Sequence, residues 1–118
     1  MIVVAAWMLA ALGGAHILAG LFWFREPIRA AWRDGGFGKF QGHDARRVAF
    51  WFTIFGPLLL CVGHVAIVAA AASDFALINI IGWYLLGLAC VAVLAVPKSG
   101  FWAMLLLAPI LIGAGRYW

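Results

Sequence analysis

Two histidines, His16 and His64, stand inside long apolar stretches of the sequence. An ionisable side chain in a membrane-spanning segment is costly and usually faces the interior of a helix bundle. We therefore predict that they face a polar interior and take them as candidate catalytic residues for proton transfer. Helical spacing and depth add five candidate ligand-binding residues: Thr53, Asn79, Trp83, Trp51 and Trp23. The simpler alternative is that each histidine only hydrogen-bonds a neighbouring helix.

The depths of the two histidines argue against a shared haem. His16 lies about eight residues and His64 about seventeen residues from the same membrane face, an offset on the order of 13 Å at the rise of an α-helix. Two axial ligands of one haem need nearly the same depth. The apolar stretches also contain no acidic residue that could join a metal site. We predict no metal and no cofactor.

A second cluster of polar residues lies around the first long loop. Asp44, Arg46 and Lys98 are the candidate residues for an anion or lipid-headgroup site, because arginine and lysine bind phosphate. The alternative is that Asp44 caps the following helix. In that case Arg46 extends towards lipid phosphates without forming a specific site.

The composition indicates which elements hold these residues. Of the 118 residues, 68% are hydrophobic and 10% are charged, whereas about 25% of the residues in soluble domains are charged. A small soluble domain cannot hide so much apolar surface. We predict an all-α membrane protein with a single domain, residues 1–118, folded as an antiparallel bundle of four transmembrane helices. The predicted spans are residues 3–24, 48–72, 77–96 and 100–115.

The loops predict the orientation of this bundle. Residues 25–47 contain six basic residues, and Lys98 adds a seventh in the turn between the third and fourth spans, whereas Arg116 is the single basic residue on the other side. Because basic loops remain in the cytoplasm, we predict a cytoplasmic loop at 25–47 and both termini outside. A short amphipathic helix from Pro27 to Arg33 is expected to lie in the lipid headgroups. Anionic headgroups account for the positive charge, so membrane lipids, and not nucleic acid, are the expected partners.

Three short segments carry a resemblance to a known family: GGAHILAG in the first span, AFWFTIFGPLLLCVG in the second, and IGWYLLG with VPKSGFW leading into the fourth. The chain resembles a family of small bacterial four-helix membrane proteins of unknown function that is common in actinobacteria. The resemblance implies a bacterial inner membrane and transfers no catalytic residues. Small multidrug exporters are less similar, because they carry a glutamate in the first helix. Emopamil-binding sterol isomerases use acidic residues within their helices, which this chain lacks.

These observations lead to three functional hypotheses. The first is a protein that binds a lipophilic molecule, an isoprenoid or a lipid, within the bundle; if it is an enzyme, His16 or His64 would support isomerisation or cyclisation. The second is a structural or accessory subunit of a larger membrane complex, with an exposed face of small residues on the third or fourth span. The third is a proton-coupled exporter that acts as a homodimer; a homo-oligomer is in any case a possible assembly of the chain. Cys61 and Cys90 are expected to be buried free thiols.

Overall fold

A computed structural model of the chain describes residues 2–97 and 101–116. This part of the chain is helical and contains no strand, which confirms the all-α prediction. The five helices are α1 (Ile2–Trp23), α2 (Arg25–Arg33), α3 (Asp44–Ala71), α4 (Phe75–Ala95) and α5 (Phe101–Ile112).

Three of the helices, α1, α3 and α4, are long and apolar enough to cross a membrane. With 12 residues, α5 is about 18 Å long at the rise of an α-helix, which is shorter than a hydrocarbon core of about 30 Å. The described part of the chain therefore has three helices of membrane-spanning length and one shorter apolar helix. The fourth crossing and the orientation stay predictions.

The contacts group the chain into two compact units, and each is described by itself. One unit, Ala11–Cys61, contains the long loop and is called the loop unit. The other contains Met1–Ala10 and Val62–Trp118 and is called the hairpin unit. The prediction of a single domain stays a prediction.

In the loop unit, α1 and α3 pack against each other in antiparallel fashion through glycines. The backbone of Gly13 lies against that of Leu60, and a Cβ atom added to Gly56 would lie 2.5 Å from the side chain of Ile17. A Cβ atom added to Gly20 would likewise lie 2.5 Å from Oγ1 of Thr53. Small residues let helix backbones approach closely in membranes, and these glycines lie where α1 and α3 come closest to each other in this unit.

The first loop starts with the predicted short helix, which begins at Arg25, two residues before Pro27. The last helical residue, Arg33, is as predicted. Beyond the helix the chain turns at Gly36, which has a φ of +83°. The ring of Trp32 packs on this glycine, and a Cβ atom added to Gly36 would lie only 2.8 Å from the ring. The loop conformation therefore requires glycine here. The position of this helix in the headgroups stays a prediction.

The hairpin unit is built around the antiparallel pair of α4 and α5. The α4 residues that face inward recur at helical spacing: Ile78, Gly82, Leu85, Ala89 and Val93. Asn79 donates from Nδ2 to the carbonyl oxygens of Leu111 and Ala114, both at 3.1 Å. Leu111 lies in the last turn of α5 and Ala114 just beyond its end, where backbone carbonyls lack the regular helical hydrogen bond. The amide of Asn79 thus closes the end of α5.

A tight turn leads into α4. Asp74 caps its start by accepting a hydrogen bond from the backbone N–H of Leu77 at 3.1 Å, after a turn in which Ser73 has a φ of +54°. Residues 72–74 thus connect α3 to α4. Cys61 and Cys90 are exposed, so the prediction that they are buried is wrong. A weakly polar thiol is compatible with lipid tails, and this explains how such positions can hold cysteine.

Candidate functional site

His16 lies within the close contact of α1 and α3 in the loop unit. Its ring stacks on Phe52 with 4.0 Å between ring centroids and meets the edge of Phe55 at 5.4 Å. Thr53 lies beside Gly20, and its buried Oγ1 has no hydrogen-bond partner among the described residues. Trp23 meets Phe52 at 6.2 Å, although most of its own side chain is exposed. The imidazole of His16 is therefore held by aromatic rings in a tightly packed contact.

His64 belongs to the hairpin unit and is exposed. It lines a groove of about 250 Å³ with apolar side chains of α3 and with Asp74 and Leu77 at the start of α4. Asn79 is half-buried, and its amide donates hydrogen bonds to backbone carbonyls at the end of α5. Trp83, in contrast, is 58% exposed. The predicted site residues are thus divided between the two units, and the single polar interior that they were expected to form stays a prediction.

Arg46 joins two distant parts of the first loop, and its side chain is only 12% exposed. It donates to the carboxylate of Asp34 at 2.7 Å and to the carbonyl oxygen of Lys39 at 3.1 Å. The hydrogen bond from Arg46 holds the pKa of Asp34 below its ordinary value, because it stabilises the charged form. The guanidinium of Arg46, predicted to bind headgroups, is therefore already occupied by the loop itself.

The other two residues of the predicted headgroup site differ from Arg46. Asp44 is the first residue of α3 and forms an ion pair with Arg47. The carbonyl of the preceding His43 accepts the first helical hydrogen bond, from the N–H of Arg47 at 3.0 Å, so His43 and not Asp44 occupies the cap position. A carboxylate in the first turn is still favourable there. Lys98 lies outside the described residues.

A cleft of about 390 Å³ opens between the glycine-rich loop and the first turns of α3, and we call it the loop cleft. Aromatic rings form most of its wall: Phe40 and Phe50 lie 5.6 Å apart, and Phe50 and Trp51 lie 5.3 Å apart. Its polar side chains are Arg47 and Gln41.

Sequence reasoning found Trp51 but missed the rest of the loop cleft. The signal was present in the loop segment GGFGKFQG, where apolar rings alternate with glycines in a stretch that is otherwise polar. Asp74 is likewise absent from the residues that the sequence pattern points to. In the structure, Asp74 lines the same groove as His64.

The comparison with protein families assigns the chain as a whole. The model of a family of unknown function, DUF6463, matches residues 2–118. The chain belongs to this family. The predicted membership in an uncharacterised family is confirmed, while the bacterial origin stays a prediction. Comparisons with curated proteins and with solved structures give no match.

Proposed function

We propose that the chain is a multi-pass protein of the bacterial inner membrane that binds an anionic, lipid-like molecule, and that the loop cleft receives this ligand. The observation that carries the proposal is the joining of an aromatic wall and an arginine in one open cleft. Phe40, Phe50 and Trp51 offer apolar surface to an isoprenoid or acyl chain. Arg47 offers a planar pair of donors to a phosphate or carboxylate headgroup.

The exposure of Arg47 and of its ion-pair partner favours binding of an anionic headgroup by Arg47. Its side chain is 56% exposed, and the carboxylate of its partner Asp44 is 92% exposed. Ion pairs with this much solvent contribute about 0–1 kcal/mol. An anionic headgroup can therefore replace Asp44 at little cost, whereas Arg46, whose own side chain is mostly buried, would have to give up its ion pair with Asp34.

The proposed activity is binding and not isomerisation or cyclisation. Among the residues that line the loop cleft, Arg47 and Gln41 are the polar side chains. Neither exchanges protons readily near neutral pH, and proton transfer needs a group whose pKa lies near the working pH. His16, the predicted catalytic residue of this unit, is not among the residues that line the cleft.

The hairpin contacts support the proposed fourth membrane crossing. Trp102, next to the start of α5, donates from Nε1 to the carbonyl oxygen of Pro97 at 2.7 Å. Gly115, after the end of α5, packs on the ring of Phe75 at the start of α4. Residues 101–116 thus extend along all of α4, which is about 31 Å long at the rise of an α-helix. Together with the basic loop in the cytoplasm, four crossings place both termini outside.

Lipid binding can be measured by native mass spectrometry of the protein in detergent with added phosphatidylglycerol or phosphatidylcholine. We expect the wild type to prefer the anionic lipid, and Arg47→Gln to lose that preference. Trp51→Ala should weaken the binding of both lipids, because it removes apolar surface. The control is Arg25→Gln, since Arg25 lies over the ring of Phe22 at 5.1 Å and does not line the cleft. Equal behaviour of Arg47→Gln and Arg25→Gln would refute the proposal.

A subunit role is the second candidate, and one face of α4 favours it. Trp83 and Tyr84 are exposed there, and a Cβ atom added to Gly87, one turn further on, would meet nothing within 4 Å. A small residue beside exposed rings on a membrane helix is suited to a close helix contact. Purification from native membranes should then yield a partner that Gly87→Leu removes. If the wild type is recovered without any partner, the subunit role is excluded.

A further inference from the structure

In the hairpin unit, a groove lies where the end of α3 meets the start of α4. It combines a histidine, an acidic residue and an apolar surface. His64 marks one end of it, Asp74 marks the other, and between them lie small and branched apolar side chains of α3 and of the turn that follows it, namely Val65, Val68, Ala69 and Ala72. Ala72 directly follows α3 and comes eight residues after His64, which corresponds to about 12 Å at the rise of an α-helix. The groove therefore has an acidic end at the helix turn and a histidine about two turns deeper.

The exposure of His64 requires an explanation if α3 crosses the membrane. It is seven residues from the last residue of α3, Ala71, about 10 Å by helical rise. At that depth an uncovered imidazole would face lipid without a hydrogen-bond partner, which is unfavourable. A polar group of a bound molecule at this position would satisfy it.

The charges at the other end of the groove are complementary to a zwitterion. Asp74 is the one acidic residue in the sequence outside residues 25–47, and no described residue forms an ion pair with it. Arg116 belongs to the same end of the unit, because its neighbour Gly115 packs on Phe75. An acid and a base therefore lie at one end without pairing with each other.

We propose that this groove binds a membrane lipid with a protonated amine headgroup, phosphatidylethanolamine in its simplest form. The ammonium group donates to the carboxylate of Asp74, and the phosphate interacts with Arg116. The ring N–H of His64 donates to an ester carbonyl, which lies deeper than the headgroup, just as His64 lies deeper than Asp74. The chains then follow Val65 and Val68. This inference depends on the membrane location of α3 and α4 but not on the loop cleft.

Phosphatidylethanolamine is distinguished from phosphatidylcholine by its N–H donors, since the two lipids share the phosphate and the esters. The test is competition between these two lipids for the full-length protein, followed by native mass spectrometry. We expect the wild type to prefer phosphatidylethanolamine about tenfold, which corresponds to about 1.4 kcal/mol. Asp74→Asn should abolish this preference. Because asparagine caps helices as well as aspartate does, this variant keeps the start of α4 intact, which thermal unfolding can verify.

The remaining variants test the other two contacts. His64→Leu should weaken both lipids alike and leave the preference between them unchanged, because the esters are common to both. Arg116→Gln should do the same through the phosphate. Glu26→Gln removes a carboxylate from the first loop and serves as the control without effect. A wild type that does not prefer phosphatidylethanolamine, or an Asp74→Asn variant that keeps the preference, overturns the proposal. The Arg47→Gln variant should still prefer phosphatidylethanolamine over phosphatidylcholine, whether or not it loses the preference for phosphatidylglycerol. The two proposed sites can therefore be refuted independently.

Discussion

Replacing Gly13 by alanine tests whether the glycines of α1 determine how closely it packs against α3. A Cβ atom at Gly13 would lie 2.7 Å from Cα of Leu60 and 3.0 Å from the carbonyl carbon of Leu59, whereas ordinary van der Waals contact begins at 3.4 Å. These are backbone atoms, so no side-chain rotation can relieve the overlap. The helices would have to separate locally by about 1 Å, as in an overpacked core.

The expected loss of stability has two opposing contributions. Overpacking typically costs about 1–3 kcal/mol. Alanine in place of glycine within a helix returns about 0.5–1 kcal/mol. Gly14→Ala is the matched control, because a Cβ atom there would meet nothing within 4 Å. This control shares the gain in helix propensity, so the Gly13→Ala variant should be less stable than the Gly14→Ala variant by about 1–3 kcal/mol.

The free energy of unfolding can be measured by titrating dodecyl sulfate into mixed micelles while following tryptophan fluorescence. Gly20→Ala gives an intermediate point, since the atom that it meets first is the side-chain oxygen of Thr53, which can rotate away. The expected order of stability is therefore Gly14→Ala, then Gly20→Ala, then Gly13→Ala. If the Gly13→Ala and Gly14→Ala variants unfold with the same free energy, within about 0.5 kcal/mol, the close backbone contact does not determine the packing.

Two further predictions concern the ends of the hairpin and the loop. Asn79→Leu removes both hydrogen bonds to the carbonyls of Leu111 and Ala114, and it should lower the free energy of unfolding by about 1–3 kcal/mol in the same titration. The pKa of Asp34 is depressed by Arg46, so the stabilisation of the loop should persist above the ordinary pKa and disappear as the pH falls through the depressed value. Protease digestion of the loop in the wild type should therefore accelerate only in strong acid. An Asp34→Asn variant should be cleaved faster than the wild type at neutral pH as well. Equal cleavage of the variant and the wild type at neutral pH would contradict this reasoning.

Much of the helical framework could be predicted from the sequence, because long apolar segments separated by short polar turns leave few alternatives. The short helix after Phe24 was also predictable, since Pro27 favours the first turn of a helix. Its start at Arg25 was less so, because a single residue separates it from α1. The length of α5 was overestimated for a different reason. Its apolar composition continues to Gly113, whereas regular helix ends at Ile112 in tight turns.

The candidate sites were harder to predict, because the partner of a charged side chain is set by the folded loop. Arg46 and Arg47 are adjacent and chemically identical in the sequence, yet one is 12% and the other 56% exposed. The difference arises because Asp34, twelve residues earlier, returns to Arg46 when the glycines turn the loop. Sequence spacing alone gives no reason to choose between these two arginines as the residue that remains available to a ligand.

The same reasoning separates the two histidines, which the sequence presents as equivalent. His16 lies among aromatic rings at a contact where glycines bring two helices together, and its ring stacks on Phe52. His64 is exposed on α3 and shares a groove with Asp74. A half-buried ring with aromatic neighbours contributes to packing, whereas an exposed imidazole needs a partner from outside the chain if α3 crosses a membrane. Of the two, His64 is therefore the residue whose replacement should alter ligand binding, and His16 the residue whose replacement should alter stability.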